Sequence, residues 1–323
     1  MKPAKSSSLA AQLARLVSGV IESLTPKQAK GLVTNFKGEY LYLNDLTKLD
    51  AASAKALAEL KGKSLSLDGL TTLDVETAKA LAEFNGSHLS LDSLTKLDAT
   101  IAEALAGFEG QYLSLSGLTT LNAETAKALA GFRGQTLLLD GLTAIDADTA
   151  KALVASTAFV GLLRGLTNVD ASTAKVLAEF KGESLFLDGL TTLDADSAKA
   201  LAEFRGRCLS LRGLTTLDAN TATAISASEK WDGELSSLAA LDFSDSVAIA
   251  KALASRKRPL SLPNLKKLSP KTLTALIEKE DIEIPLIETL ELIPEPDGSP
   301  TEDFVIPEWL QARQNHQRQQ QAK

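Results

Sequence analysis

The chain holds one cysteine, Cys208, and two histidines, His88 and His316. A lone cysteine excludes an intrachain disulfide framework and a multi-cysteine zinc site, and neither histidine stands in a metal-ligand cluster. Aromatic residues are only 5% of the sequence, so small aliphatic side chains must build the core. No run approaches the roughly 18 consecutive apolar residues of a membrane span. There is no Gly-rich phosphate loop and no G-x-S-x-G nucleophile elbow. Excess positive charge is missing too. The net charge of −7, with a pI near 5.1, argues against a general nucleic-acid binder.

With 44% hydrophobic residues and a mean hydropathy of +0.02, the chain can bury a core and is not disordered as a whole. Residues 1–24 look superficially like a signal peptide. Gln12, Arg15 and Glu22 interrupt their apolar region and no A-x-A cleavage site follows. An amphipathic helix is expected there, with Leu9, Leu13, Leu16 and Val20 on one face, and a cytoplasmic location.

What the sequence has in abundance is repetition. Gly38, Gly62, Gly86, Gly110, Gly134, Gly182 and Gly206 keep a strict spacing of 24 with one doubled gap, and Ala158 fills the vacant slot. Each repeat reads G-x-x-L-x-L-x-G-L-T-x-L-D-A-x-T-A-K-A-L-A-x-F-x. Eight of them, from Gly38 to about residue 229, fit without insertion or deletion. L-x-L, as in Leu65 and Leu67, has the period of two that marks a short half-buried strand. The acid closing G-L-T-x-L-D stands where a helix N-cap belongs. Asp50, Asp74, Asp98, Asn122, Asp146, Asp170, Asp194 and Asp218 are so placed. Thr25-Pro26 and Ser269-Pro270 repeat that logic near the two ends. The Ala-rich run then shows helical spacing, as in Ala78, Leu81 and Phe84, and the next glycine is expected to stop the helix.

Burying five or six aliphatic side chains does not offset the entropy of ordering 24 residues. Each repeat must therefore share its core with its neighbours. Stacking equivalent strands side by side gives a parallel sheet with helices on the other face. The expected fold is a curved α/β solenoid, parallel sheet on the concave face and short helices on the convex face. Residues 1–37 are expected as an N-terminal helical cap and 38–255 as regular repeats, the last irregular. Residues 256–292 read as divergent closing repeats and 293–323 as a flexible Pro/Gln-rich tail. Within SDSVAIAKALASRKR the A-K-A-L-A run comes four residues late, which predicts one extra helical turn. In the tail, FVIPEWL (304–310) is an apolar island expected to pack back on its own domain, with partner docking as the alternative.

L-x-L-x-x-L-x-x-L at this period, followed by A-K-A-L-A, resembles the leucine-rich repeats, whose periods run 20–29 residues. It is most similar to bacterial forms with a short A-x-A-L-A helix, over roughly residues 38–290. The resemblance implies a protein-binding module. One departure stands out. That family has Asn after the strand, where Leu46, Leu70 and Leu94 sit here, and the adjoining Thr47, Thr71, Thr95 and Thr119 hydroxyls are candidates to satisfy the turn instead.

No residue is assigned a catalytic, cofactor or metal role. On the helix face, Lys55, Lys79, Lys127, Lys151, Lys175 and Lys199 lie in register. Glu59, Glu83, Glu179 and Glu203 stand four residues on from several of them, as on an ordinary solvated face. The outward strand positions are less constrained by architecture. All three tyrosines, Tyr40, Tyr42 and Tyr112, fall on them, as do His88 and Cys208. The middle x of L-x-L is serine at 66, 90, 114 and 210 but becomes Leu138, Leu162 and Phe186 between. Asp140, Arg164, Asp188 and Arg212 stand beside these. An apolar centre with a charged rim suits a protein partner; a stacking ladder that stiffens the sheet is the competing explanation. The sequence is thus read as a monomeric, non-enzymatic interaction scaffold, binding no nucleic acid or membrane. Self-assembly through the terminal repeats is one rival role. An adaptor with its signalling element outside the repeats is another. In TAFVGLLRG (157–165), Gly161 replaces a strand leucine and Ser156 the usual Phe, with Phe159 expected to fold in and fill the gap.

Overall fold

A computed structural model describes residues 22–295, Gly298 and 305–321. They divide into two compact units after Gly165. The helix expected around Leu9 to Val20 lies outside the described residues.

The first unit alternates helix and strand: α1 (Pro26–Asn35), β1 (Tyr40–Tyr42), α2 (Ala51–Ala58), β2 (Ser64–Ser66), α3 (Val75–Ala82), β3 (His88–Ser90), α4 (Ala99–Ala106), β4 (Tyr112–Ser114), α5 (Ala123–Leu129), β5 (Thr136–Leu138) and α6 (Ala147–Val154). The strands form one five-stranded parallel sheet in chain order. Its register follows the repeat, so Leu41, Leu65, Leu89, Leu113 and Leu137 pair in succession. Those leucines, and the second of each pair such as Leu67, are buried, while the residues between them face outward. The period-two reading therefore holds. At the start of the unit, Leu24, Ala29 and Leu32 are buried beneath α1 and Ser23 bridges to Lys48.

The second unit contains α7 (Ala171–Ala178), β6 (Ser184–Phe186), α8 (Ala195–Ala202), β7 (Cys208–Ser210), α9 (Ala219–Ala227), β8 (Ala240–Leu241), α10 (Ser246–Ala254), β9 (Leu260–Ser261), β10 (Lys267–Leu268), α11 (Pro270–Ile277), β11 (Ile282–Glu283), a 3-10 turn (Ile287–Thr289), β12 (Glu291–Leu292) and α12 (Glu308–Gln321). Its strands are also parallel: β6 pairs β7, β9 pairs β11, and β10 lies between β8 and β12. Two strand pairs thus link the closing segments 260–268 and 282–292.

Each regular helix begins as the sequence predicts. The side chains of Asp50, Asp74, Asp98, Asn122, Asp146, Asp170, Asp194 and Asp218 all accept the N–H three residues on. Thr25 and Gln28 form a capping box, and Ser269 caps α11. A second device stacks one repeat on the next. The buried Ser53, Thr125, Thr149, Ser197 and Thr221 hydroxyls donate to the carbonyls of Leu24, Leu97, Leu121, Val169 and Leu193, one turn earlier in the stack.

The structure corrects several expectations. The repeated glycines do not stop helices: among the described residues only Gly161, Gly233 and Gly298 have positive φ. Instead an aromatic ring lies against each of them except Gly62, which meets Leu60. A Cβ on Gly86 would come within 2.1 Å of Phe84 Cζ and 2.9 Å of the Gly62 carbonyl oxygen. The inter-repeat hydrogen bonds that Asn makes in leucine-rich repeats do not fall at Leu46. They are made by the residue after the second strand leucine. Asn44, Asp68 and Asp92 each accept the backbone N–H of the equivalent residue one repeat on, and the hydroxyl of the next strand's serine. Asp188 does the same for Ser210 and Arg212. Of the threonines expected to satisfy the turn, Thr47 does so, its hydroxyl donating to the Glu22 carbonyl. The equivalent bond recurs at Thr143 and Thr215, which donate to the Thr119 and Thr191 carbonyls. The late A-K-A-L-A run adds no helical turn. α10 and α9 are both nine residues long, and the extra residues lengthen the loop before α10. Finally, residues 308–321 are not a flexible tail but helix α12. Leu310 and Gln314, four residues apart, bury one face, and Arg313 donates to the carbonyls of Ile282 and Glu280. Leu310, at the end of the apolar island, packs back as expected, while Val305 is exposed.

The irregular stretch at 157–165 turns out to be a second building pattern. Phe159 is buried and bridges Leu137, a separation of 22 rather than 24, and Gly161 absorbs the slip at φ 77°. Trp231 does the same in the second unit. It is buried, bridges Leu209 at the same separation, and is followed by Gly233 at φ 83°. Both strings read S-x-x-aromatic-x-G, starting at Ser156 and Ser228. The serine accepts backbone N–H groups ahead of the aromatic: Ala158 in one case, Lys230 and Trp231 in the other.

Candidate functional site

The outward strand face is where the residue choice exceeds what packing requires. In the first unit the sheet register lines up two rows on it. One row runs Tyr40, Ser64, His88, Tyr112, Thr136; the other runs Tyr42, Ser66, Ser90, Ser114, Leu138. Tyr40 and Tyr42 are 52% and 63% exposed, a large aromatic surface on a three-residue strand. His88 and Tyr112 are half-buried and stacked, with ring centroids 4.3 Å apart and planes within 7°. The His88 Nδ1 is buried without a hydrogen-bond partner. Just past the strand ends comes the polar row Asn44, Asp68, Asp92, Ser116, Asp140.

The remaining sequence-selected residues fall as follows. Leu138 and Leu162 are half-buried in the first unit and Phe186 in the second. Asp140 pairs with Arg164 at 3.6 Å. In the second unit Asp188 closes the Ser210 rung, and Arg212 binds Asp232 at 3.0 Å and Glu234 at 2.9 Å. These four charges are thus engaged with their neighbours. The rungs also supply a reason for the change from serine to leucine at position 138, but not at Leu162, which follows the carboxylate of Asp140. Ser66, Ser90 and Ser114 each follow a repeat whose rung residue is Asn44, Asp68 or Asp92, whereas Leu138 follows Ser116, which offers no carboxylate.

Sequence reasoning missed Asp68 and Asp92 as part of this face. Their signal was present as the acid two residues after each strand serine. It also missed Arg256, which is only 4% exposed. Arg256 donates to the carbonyls of Pro259 and Ser228 at 3.1 and 3.0 Å and to that of Trp231, and stacks on the Trp231 ring at 4.6 Å. Burial holds its guanidinium below its ordinary value, the neighbouring Arg258 adding to the shift. Burial likewise pushes the Cys208 thiol up, with the Asp232 charge next in effect, the opposite of an activated thiolate. On the helix face, Lys79 and Lys199 pair with Glu76 and Asp196, three residues before them. The acids four residues on, Glu83 and Glu203, sit at the C-caps beyond the last full turn.

Among the described residues no group of three or more His, Cys, Asp and Glu could hold a metal ion, and no helix is long and apolar enough to cross a membrane. No protein-family model and no curated protein matches the chain. What the geometry establishes is a succession of helix–strand repeats with parallel sheets and a strand face that carries exposed aromatics.

Proposed function

We propose that the chain is a solenoid of leucine-rich-repeat type that works as a non-enzymatic protein-interaction scaffold, with the strand face as its binding surface. The observation that carries this reading is the exposure of Tyr40 and Tyr42 on the same face as the stacked His88–Tyr112 pair. Tyrosine presents a large, rigid, amphipathic contact area at little cost in side-chain entropy, which suits the centre of an interface. The resemblance to leucine-rich repeats supports the same role, and the Asn44, Asp68 and Asp92 rungs join successive repeats by side-chain hydrogen bonds, as that family's asparagines do. A cytoplasmic monomer is the form in which the scaffold is proposed to act.

The test is affinity capture with the full chain against a Tyr40→Ala/Tyr42→Ala variant of equal melting temperature. A partner retained by the first and lost by the second supports the strand face. A partner set identical for both would move the binding surface elsewhere, and light scattering that showed concentration-dependent growth would favour self-assembly instead.

A further inference from the structure

Resting on the strand-face reading, we infer that the first unit's face recognises an extended, arginine-bearing segment of its protein partner. The face combines two groups that suit one kind of side chain. Tyr40 and Tyr42 offer exposed π-surfaces on β1, and Tyr112 lies in the row of Tyr40. Beside these rows stand the carboxylates of Asp68 and Asp92, half-buried at the ends of β2 and β3.

Neither carboxylate is neutralised. Among the described residues no lysine or arginine pairs with Asp68 or Asp92, whereas Asp140 has Arg164. The lysine at the start of β2, Lys63, is engaged with Glu39 at 2.9 Å. The hydrogen bonds that Asp92 accepts from the next repeat both end on its Oδ1, so Oδ2 remains for a ligand. A planar guanidinium stacks on tyrosine and binds carboxylate through paired N–H donors. An ammonium does the second less specifically and the first less well. Charge complementarity therefore selects a cationic partner and the aromatic rows select arginine over lysine.

The ladder offers an unusually clean test. Asn44 occupies the equivalent position and makes the same two bonds through Oδ1 that Asp68 makes. Asp68→Asn/Asp92→Asn therefore removes two charges while keeping the inter-repeat rungs. The Ser66 hydroxyl, which also reaches Asp68 Oδ2 at 2.6 Å, keeps its bond to Asn44 and can accept from the new amide, so the melting temperature should match the parent. The probes are short labelled peptides that alternate serine with arginine, lysine or glutamate, titrated against the full chain by fluorescence anisotropy at low and high salt. A helix-face pair, Glu103→Gln/Glu124→Gln, controls for net charge.

The arginine peptide is expected to bind more tightly than the lysine peptide, and the glutamate peptide not at all. The strand-face Asn pair and the Tyr40→Ala/Tyr42→Ala pair should each weaken arginine binding about tenfold, with the helix-face pair unchanged. Equal binding of the glutamate peptide, or an Asn pair that binds like the parent, overturns the inference. A captured partner that is lost with the two tyrosines but indifferent to the Asn pair would leave the scaffold reading standing and remove only its cationic chemistry.

Discussion

The ring of Phe108 lies against Gly110 so closely that a Cβ there would come within 2.1 Å of the ring's Cζ. The same F-x-G relationship recurs at Phe84/Gly86, Phe132/Gly134, Phe180/Gly182 and Phe204/Gly206. The rings of Phe84, Phe108 and Phe132 stack at 6.2 Å, nearly parallel. Where Ser156 and Ser228 replace the ring, a Cβ returns as Ala158 and Lys230.

Gly110→Ala should therefore be destabilising, by roughly 2 kcal/mol from overpacking. Phe108→Ser alone should cost about 3 kcal/mol or more through the cavity it leaves. The double substitution, which reproduces the Ser156/Ala158 pair, should cost less than the sum by about 1 kcal/mol or more, read from a denaturation double-mutant cycle. Strict additivity would mean that the ring does not dictate the glycine.

Thr221 donates to the Leu193 carbonyl at 3.1 Å. Thr221→Val keeps the shape and leaves that buried carbonyl unpaired, so urea unfolding should show a loss of about 1 kcal/mol. No change would show that the hydroxyl ladder is incidental to stacking.

Three caps set an acid limit. The Thr173 N–H and then the Ser172 hydroxyl hold the Asp170 carboxyl below its ordinary 3.8. At Asp194 the N–H and hydroxyl of Ser197 do so, and at Asp98 the Thr100 hydroxyl and then the Ile101 N–H. A depressed folded value stabilises the folded state above the unfolded value, near pH 3.8, and that contribution disappears as pH falls through the folded value. The melting temperature should thus drop below about pH 4. Asp170→Asn/Asp194→Asn, which copies the natural cap Asn122, should flatten the drop; an unchanged slope would assign it to other groups.

Arg256 joins the three carbonyls of Ser228, Trp231 and Pro259 in one place. Arg256→Met should cost about 3 kcal/mol, because those carbonyls lose their donors. Arg256→Lys should recover little, since one ammonium cannot reproduce a fork. Circular dichroism melts that found either variant as stable as the parent would contradict this.

Leu138→Ser, Leu162→Ser and Phe186→Ser together separate the two explanations of the apolar outward positions. If they serve a partner, the melting temperature should stay within a few degrees and the captured partner should be lost. Severe destabilisation would mark a structural ladder. Adding Ser116→Asp to Leu138→Ser should restore a rung like Asp92–Ser114, detectable as regained stability relative to Leu138→Ser alone.

Much of this architecture was legible in the chain because it depends on local chemistry. The alternation at Leu65 and Leu67, the Asp and Asn caps, and the Thr25-Pro26 and Ser269-Pro270 starts all act within a few residues. A repeat of 24 also dictates that equivalent strands pair in parallel, since a lone repeat cannot bury its own leucines.

Only the tertiary structure decided the rest, because the contacts in question join residues about 22 to 28 positions apart. That Asp68 meets Ser90, that Thr221 meets Leu193, and that Phe159 and Trp231 slip the register by two follow from how one repeat lies on the next. The helix at 308–321 was hidden for a different reason. Its polar sequence predicts no core face, and it is held where Arg313, Gln314 and Arg318 find Ile282, Pro285 and Glu288. The sequence by itself determined the period, the caps and the buried leucines, since these need only near neighbours. The strand-face rows, and the two carboxylates left unpaired beside the tyrosines, exist only once neighbouring repeats are stacked.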